Sequence, residues 1–257
     1  MQRIRLRYTK RGRLRFTSHR DFQRAFERAL RRSAVPMAYS AGFTPHPKVS
    51  YANAAPTGTA SEAEYLEIAL AEHRDPEELR AALDASLPDG LDITEAVEAR
   101  TSGLAERLQA SIWELRLPGV AAADAADAVE VFLGRESVEV ERRTKNGVRS
   151  FDTRAAVASF TAESPATPAT SEQANRSDGA PCAILRLVVR HQTPAVRPDD
   201  VLSGLRATAD LATPVPPEVT RLAQGPFDEE TGSVADPLAS DRTAPSRAAE
   251  AQLSGSA

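Results

Sequence analysis

One cysteine and one tryptophan are all that 257 residues contain of either, histidine occurs four times, and aromatic residues make up only 5% of the chain. Cys182 has no partner for an internal disulfide, and alone it cannot build a metal or iron–sulfur site. No apolar run approaches the roughly 20 residues that span a membrane, and no apolar h-region follows the basic N-terminus. A cytoplasmic protein without membrane attachment is therefore expected. Catalytic signatures are missing too: there is no phosphate loop, GxSxG elbow, HExxH or dinucleotide fingerprint. Metal sites can be imagined from His19, His46 and Asp21, but their spacing is not diagnostic of one. No metal or cofactor is expected.

Acid is scarce where the chain begins. Residues 1–33 hold twelve Lys/Arg against Asp21 and Glu27, a net +10 in a protein of total charge −4, so residues 34–257 sum to −14. Such asymmetry attracts polyanions even to an acidic protein. The pattern is regular. Arg3, Arg5 and Arg7 alternate with Ile4, Leu6 and Tyr8, and Arg13 and Arg15 alternate with Leu14 and Phe16. Strands of that period send all the arginines to one face. Residues 3–8 and 13–17 read as a hairpin around Lys10-Arg11-Gly12. A helix follows over 19–32, with Ser18 and Asp21 at capping-box spacing. Phe22, Phe26, Ala29 and Leu30 form its apolar stripe, and Arg20, Arg24, Arg28 and Arg31 run down another side. The plainer alternatives are a solvated sheet face, and a helix stripe neutralised by Glu62, Glu64 and Glu67.

The remainder parses into short alternating elements. A strand at 64–72 precedes a helix opened by Asp75-Pro76-Glu77-Glu78 and closed by Pro88-Asp89-Gly90, and a strand at 91–98 follows. Trp113, Leu115 and Leu117 alternate in another strand before an Ala-rich helix over 121–133. A hairpin then turns at Asn146-Gly147, and a short helix begins near 155–160. Ala183, Leu185, Leu187 and Val189 mark a further strand, and 199–211 a last helix. The expected fold is α+β: tandem ferredoxin-like units with added β-hairpins, a disordered internal linker and a disordered C-terminal tail. The units span 1–100 and 108–212. The linker is 161–181 and the tail 213–257, both poor in side chains worth burying; Leu222 and Phe227 stand out as a docking motif within the tail.

Residues 36–58 are rich in Pro, Gly and aromatics and lack a helical period. Proline fixes its own φ and disfavours helix in the residue before it, so 42–48 reads as a stiff exposed loop presenting Phe43, His46 and Lys48. Ser18-His19, the Phe26–Arg32 run, the Gly42-Phe43-x-Pro45-His46-Pro47-Lys48 loop and Phe151-Asp152-x-Arg154 resemble the radical SAM-linked protein family. That family is a bacterial domain of unknown function, found alone or fused behind radical SAM enzymes. The resemblance covers roughly 1–210 and is most specific in 15–58. It implies no established reaction, and with one cysteine the chain lacks the three-cysteine cluster motif of radical SAM catalysis.

These features point to an RNA-interacting accessory or substrate-recognition protein linked to radical SAM or RNA-processing enzymes. Arg3, Arg5, Arg7, Arg13, Arg15, Arg20, Arg24, Arg28 and Lys48 are the phosphate-binding candidates, and Phe43, Tyr39 and Tyr51 the base-stacking ones. Asp152 and Arg154 form a second candidate site or an internal clamp. The alternatives are a metal-independent endoribonuclease and a protein–protein adaptor for a radical SAM enzyme or ribonuclease. In the former, His19 or His46 would act as base and Lys48 or an arginine would stabilise the phosphorane. His19, His46 and Lys48 are expected to converge on one site with Phe43 nearby. No catalytic constellation is complete.

Overall fold

The computed structural model describes residues 1–144, 147–165 and 181–243. The chain is α+β and divides into two compact units, one comprising 1–108 with the C-terminal segment from 236, the other 109–235.

The first unit runs β1 (Gln2–Lys10), a 3-10 turn (Gly12–Phe16), α1 (His19–Arg32), β2 (Val49–Ala52), β3 (Ala60–Leu70), α2 (Pro76–Asp84), β4 (Ile93–Glu98) and α3 (Leu104–Arg107). Its sheet is antiparallel in the order β4-β1-β3-β2, the ferredoxin-like arrangement. The expected hairpin of 3–8 with 13–17 does not form. β1 is the middle strand, and both its edges are taken by β3 and β4, whose apolar residues share its inward face. Ile4, Leu6 and Tyr8 pack there with Leu66, Ile68, Leu70 and Ile93 beneath Phe22, Phe26 and Leu30 of α1. Gly12, at φ +54°, turns the chain out of the sheet instead, so Arg13 and Arg15 lie on the 3-10 turn.

The second unit repeats the topology: β5 (Ala110–Pro118), α4 (Ala122–Leu133), β6 (Glu139–Thr144), β7 (Gly147–Asp152), β8 (Val157–Glu163), β9 (Cys182–Arg190), α5 (Pro198–Ala209) and β10 (Glu218–Gly225). Its sheet order is β10-β5-β9-β8, with β6–β7 an inserted hairpin. Asn146 of the expected turn lies outside the described residues. The helix expected near 155–160 is instead the start of β8 (Val157–Glu163), paired with β9, because Val157 and Phe160 are needed in the core. That strand takes 161–163 away from the expected linker, of which 166–180 lie outside the described residues. Gly204 of α5 is forced by packing: a Cβ there would stand 2.9 Å from Phe132 and 3.1 Å from Val138.

The expected tail is corrected most. Residues 218–225 are β10, the fourth strand the ferredoxin-like order demands, pairing with β5 through Val219, Arg221 and Ala223. Leu222 belongs to that strand, and Arg190 stacks over the Phe227 ring at 4.9 Å. Residues 239–243 form a short helix, α6 (Ala239–Thr243), which belongs to the first unit. Leu238, wholly buried, packs with Leu104, Leu108, Tyr65 and Ala63 on the outer face of the first sheet. Residues 244–257 lie outside the described part of the chain. No described helix is long and apolar enough to cross a membrane.

Asp241 of α6 anchors this covering. Its carboxylate accepts hydrogen bonds from Arg5, from Arg107 at 3.0 Å and from the Thr101 amide at 2.9 Å. Arg5 is 2% exposed and Asp241 1%. Burial on its own would raise the Asp241 pKa, but hydrogen bonds from Thr101 and Arg5 outweigh it and hold the carboxyl below its usual value. A carboxyl whose folded pKa is depressed stabilises the fold above its unfolded pKa, and loses that contribution as pH falls through the folded value. Asp241→Asn, which leaves a buried cation short of charge, should cost about 3 kcal/mol at pH 7 and flatten the acid limb of the stability curve. Urea unfolding between pH 3 and 7 checks both, with exposed Asp89→Asn expected to change neither.

Candidate nucleic-acid interface

The strand arginines and the helix arginines lie on opposite sides of the first sheet. Arg3, Arg5 and Arg7 point away from α1, because α1 covers the face of Ile4, Leu6 and Tyr8. On the far side each finds a partner. Glu67 receives Arg5 at 3.0 Å and Arg3 at 3.4 Å, and Arg7 donates to the Glu62 carbonyl at 3.0 Å. Arg5 is a buried structural cation, which corrects its assignment as a phosphate contact. Glu62 itself is engaged by Arg11, and Glu64 accepts from the Ala55 amide at 2.8 Å. The three acids weighed as partners of the helix stripe are therefore engaged elsewhere, two of them with arginines of β1 and the turn after it.

The stripe on α1 stays open. Ser18 caps the helix through the Asp21 amide, and Phe22, Phe26, Ala29 and Leu30 are buried. Arg20, Arg24, Arg28, Arg31 and Arg32 are exposed, and among the described residues only Arg24 has an acid within reach, Asp21 at 3.8 Å. Arg13 is exposed on the 3-10 turn, while Arg15 is half-buried with its guanidinium 4.7 Å from the exposed Phe16 ring.

The loop after α1 is held as a ladder. Ala38 donates to Ala69 at 2.8 Å and Lys48 to Ala38 at 2.8 Å, while Ser40 and His46 bond each other's polar groups at 2.9 and 3.0 Å. Gly42, at φ +125°, closes the tip in a conformation side chains rarely adopt. Phe43 protrudes there, fully exposed, and Tyr39 is 55% exposed. The exposed loop inferred from the prolines is present.

His19, His46 and Lys48 do not form one cleft. His19 packs edge-on against Tyr51 at 4.9 Å and bonds Gln23 at 3.1 Å. Tyr51 is half-buried against His19 and Phe22, so it is not available for stacking. His46 instead borders two clefts, neither lined by His19. One, of about 260 Å³, lies between the C-terminal half of α1 and the loop and is lined by Glu27, Leu30, Arg31, Met37, Tyr39 and His46 among others. The other, of about 460 Å³, holds Lys48 beside Arg3, Ser50 and Glu67. His46 and His19 are kept apart by the helix: Glu27 stands eight residues beyond His19, about 12 Å along the axis.

Glu27 is the residue that sequence reasoning passed over. It makes no hydrogen bond or ion pair with a described residue, although Arg24 and Arg31 stand three and four positions away. Burial raises the pKa of the Tyr51 hydroxyl, and the Glu27 charge raises it further. The signal was a single acid inside an arginine-dominated helix. Asp152 and Arg154, by contrast, serve backbone. Asp152 accepts from the Val138 and Arg154 amides, both at 2.9 Å, and Arg154 donates to the carbonyls of Leu133 and Val157. They clamp the β6–β7 insert in the second unit. Among the described residues no group of three His, Cys, Asp or Glu side chains is placed to hold a metal.

A family model described as "Uncharacterized protein conserved in bacteria (DUF2344)" matches residues 3–198. No curated protein matches the chain.

The side chains at the loop tip carry no load in this packing. His46→Ala and Phe43→Ala should each change unfolding free energy by less than about 0.5 kcal/mol. His19→Ala should cost about 1 kcal/mol through its lost contact with Tyr51. Thermal melts of the three variants distinguish these roles.

Proposed function

The chain belongs to this conserved bacterial family of uncharacterised proteins, and we propose that it is an RNA-interacting accessory protein that presents single-stranded RNA to a separate enzyme. The observation that carries the reading is the row of exposed arginines on α1, four of them without an acid partner among the described residues. The chain carries a net charge of −4, yet Glu62 and Glu67 pair with arginines of β1 and the turn after it, and Glu27 on α1 itself bonds none of these arginines. Guanidiniums at helical spacing can follow a phosphate backbone by charge-assisted hydrogen bonds. The rigid loop adds Phe43 and Tyr39, aromatic surface on which unpaired bases stack. The loop follows α1, and the two meet at the cleft lined by Arg31, Tyr39 and His46.

The radical SAM link belongs to the same proposal. The resemblance to domains fused behind radical SAM enzymes, together with a single cysteine, favours a recognition role beside an enzyme that brings its own cluster. Nothing in the cleft geometry favours cleavage over recognition, since His19 and His46 do not share a cleft.

Binding should be steeply salt-dependent, weakening by orders of magnitude between low and physiological salt. Arg20→Ala, Arg24→Ala and Arg28→Ala combined should weaken every single-stranded RNA about equally and reduce the salt slope by about 2. Arg5→Ala should act through stability alone. Filter binding across a salt series measures both, and a salt-independent affinity in the wild-type protein would remove the reading.

A further inference from the structure

We propose that the cleft between α1 and the 37–47 loop is a nucleobase pocket selective for guanine, read by Glu27; this rests on the RNA-binding reading above. At about 260 Å³ it falls below the roughly 300–1,000 Å³ of drug-sized pockets and suits one planar ring system. Its lining combines buried Leu30 and Met37 with exposed Tyr39, His46 and Arg31 and half-buried Glu27. An aromatic ring beside apolar side chains is what an unstacked base requires.

The carboxylate decides which base. Glu27 is half-buried in the cleft and makes no hydrogen bond or ion pair with a described residue, so both oxygens are free to accept. An ionised carboxylate is an acceptor only. Guanine is the one common RNA base whose Watson–Crick edge offers two adjacent donors, N1–H and the 2-amino group, so only guanine can satisfy both oxygens at once. Adenine and cytosine place a ring-nitrogen acceptor beside their amino donor, and uracil flanks its single N–H with two carbonyls. Each of those would set a lone pair against the carboxylate. Arg31 lines the same cleft and offers a donor for the guanine O6 or for an adjoining phosphate. Negative charge at this spot opposes general phosphate binding, and the arginine row supplies enough attraction to tolerate it. A Glu27 kept for solubility would serve better on the open face of α1 than in a cleft.

The test is fluorescence anisotropy with end-labelled uridine octamers carrying guanine, inosine or adenine at one central position, at low salt. The wild-type protein should bind the guanine octamer about tenfold or more tightly than the adenine one, with inosine, which lacks the 2-amino group, between them. Glu27→Gln should shrink the guanine–adenine difference to less than about twofold while all-uridine binding stays within about threefold. Tyr39→Ala, at an exposed site, should weaken the guanine octamer selectively. Equal affinity for all three octamers, with salt-dependent binding intact, overturns the pocket and leaves the RNA reading standing. No binding to any octamer overturns both. Displacement of the label by an arginine-containing peptide, with base identity making no difference, overturns the pocket in favour of a protein ligand. The wild-type base series requires no variant to fold.

Discussion

Arg5 places a guanidinium in the middle strand of the first sheet, where water is excluded and a cation must be neutralised. Glu67 on the neighbouring strand supplies one carboxylate. Asp241 supplies the other from 236 positions along the chain. That requirement draws the C-terminal segment onto the first unit, and Leu238 follows it into the cluster with Leu104 and Leu108. Part of the outer sheet face is thereby covered, and a Pro-rich stretch with little of its own to bury acquires structure through Leu238 and the ion pairs of Asp241 with Arg5 and Arg107 and of Arg242 with Glu95. A buried pair of this kind contributes less net stability than its charges suggest, but losing one partner is severe. Its main effect is to specify where the segment goes.

The arginines of β1 and those of α1 meet different fates. Glu62 and Glu67 are engaged by Arg11 and Arg5, and of the two acids on α1 itself only Asp21 stands within reach of a helix arginine. α1 keeps its outward arginines exposed beside a loop stiffened by backbone ladder bonds. An open cationic row, exposed Phe43 and a cleft with an uncommitted carboxylate thus arise together on α1 and the loop that follows it.

The second unit builds the same topology from different materials. Ala-rich α4 and glycine-bearing α5 approach closely enough that Gly204 has no room for a side chain. The inserted hairpin is held by Asp152, by Arg154 and by the bond from Arg142 to buried Asp200 at 2.6 Å. Burial pushes the Asp200 carboxyl up, against the opposing pull of the Arg197 amide and Arg142. These polar groups satisfy backbone and hold elements together.

Local physics made much of this protein readable from its residues. The period-2 alternation of β1, the Ser18 cap and apolar stripe of α1, the Asp75-Pro76 opening of α2 and the exposed, proline-containing loop all follow from interactions within a few positions, and each is present. The α+β class and both ferredoxin-like units followed from their order. What the residues did not disclose is which strands would meet. Whether 13–17 pairs with β1 depends on β3 and β4, tens of residues away, offering a better match of apolar faces. Whether 218–225 is tail or strand depends on the open edge of β5, and its weak alternation carries no sign of that vacancy. The fate of the arginines was hidden for the same reason. Arg5 and Arg28 look alike in the sequence, and only the return of Asp241 makes one a buried structural cation while the other stays exposed. Charge and periodicity are local properties, whereas burial belongs to pairs of surfaces that only the folded chain brings together.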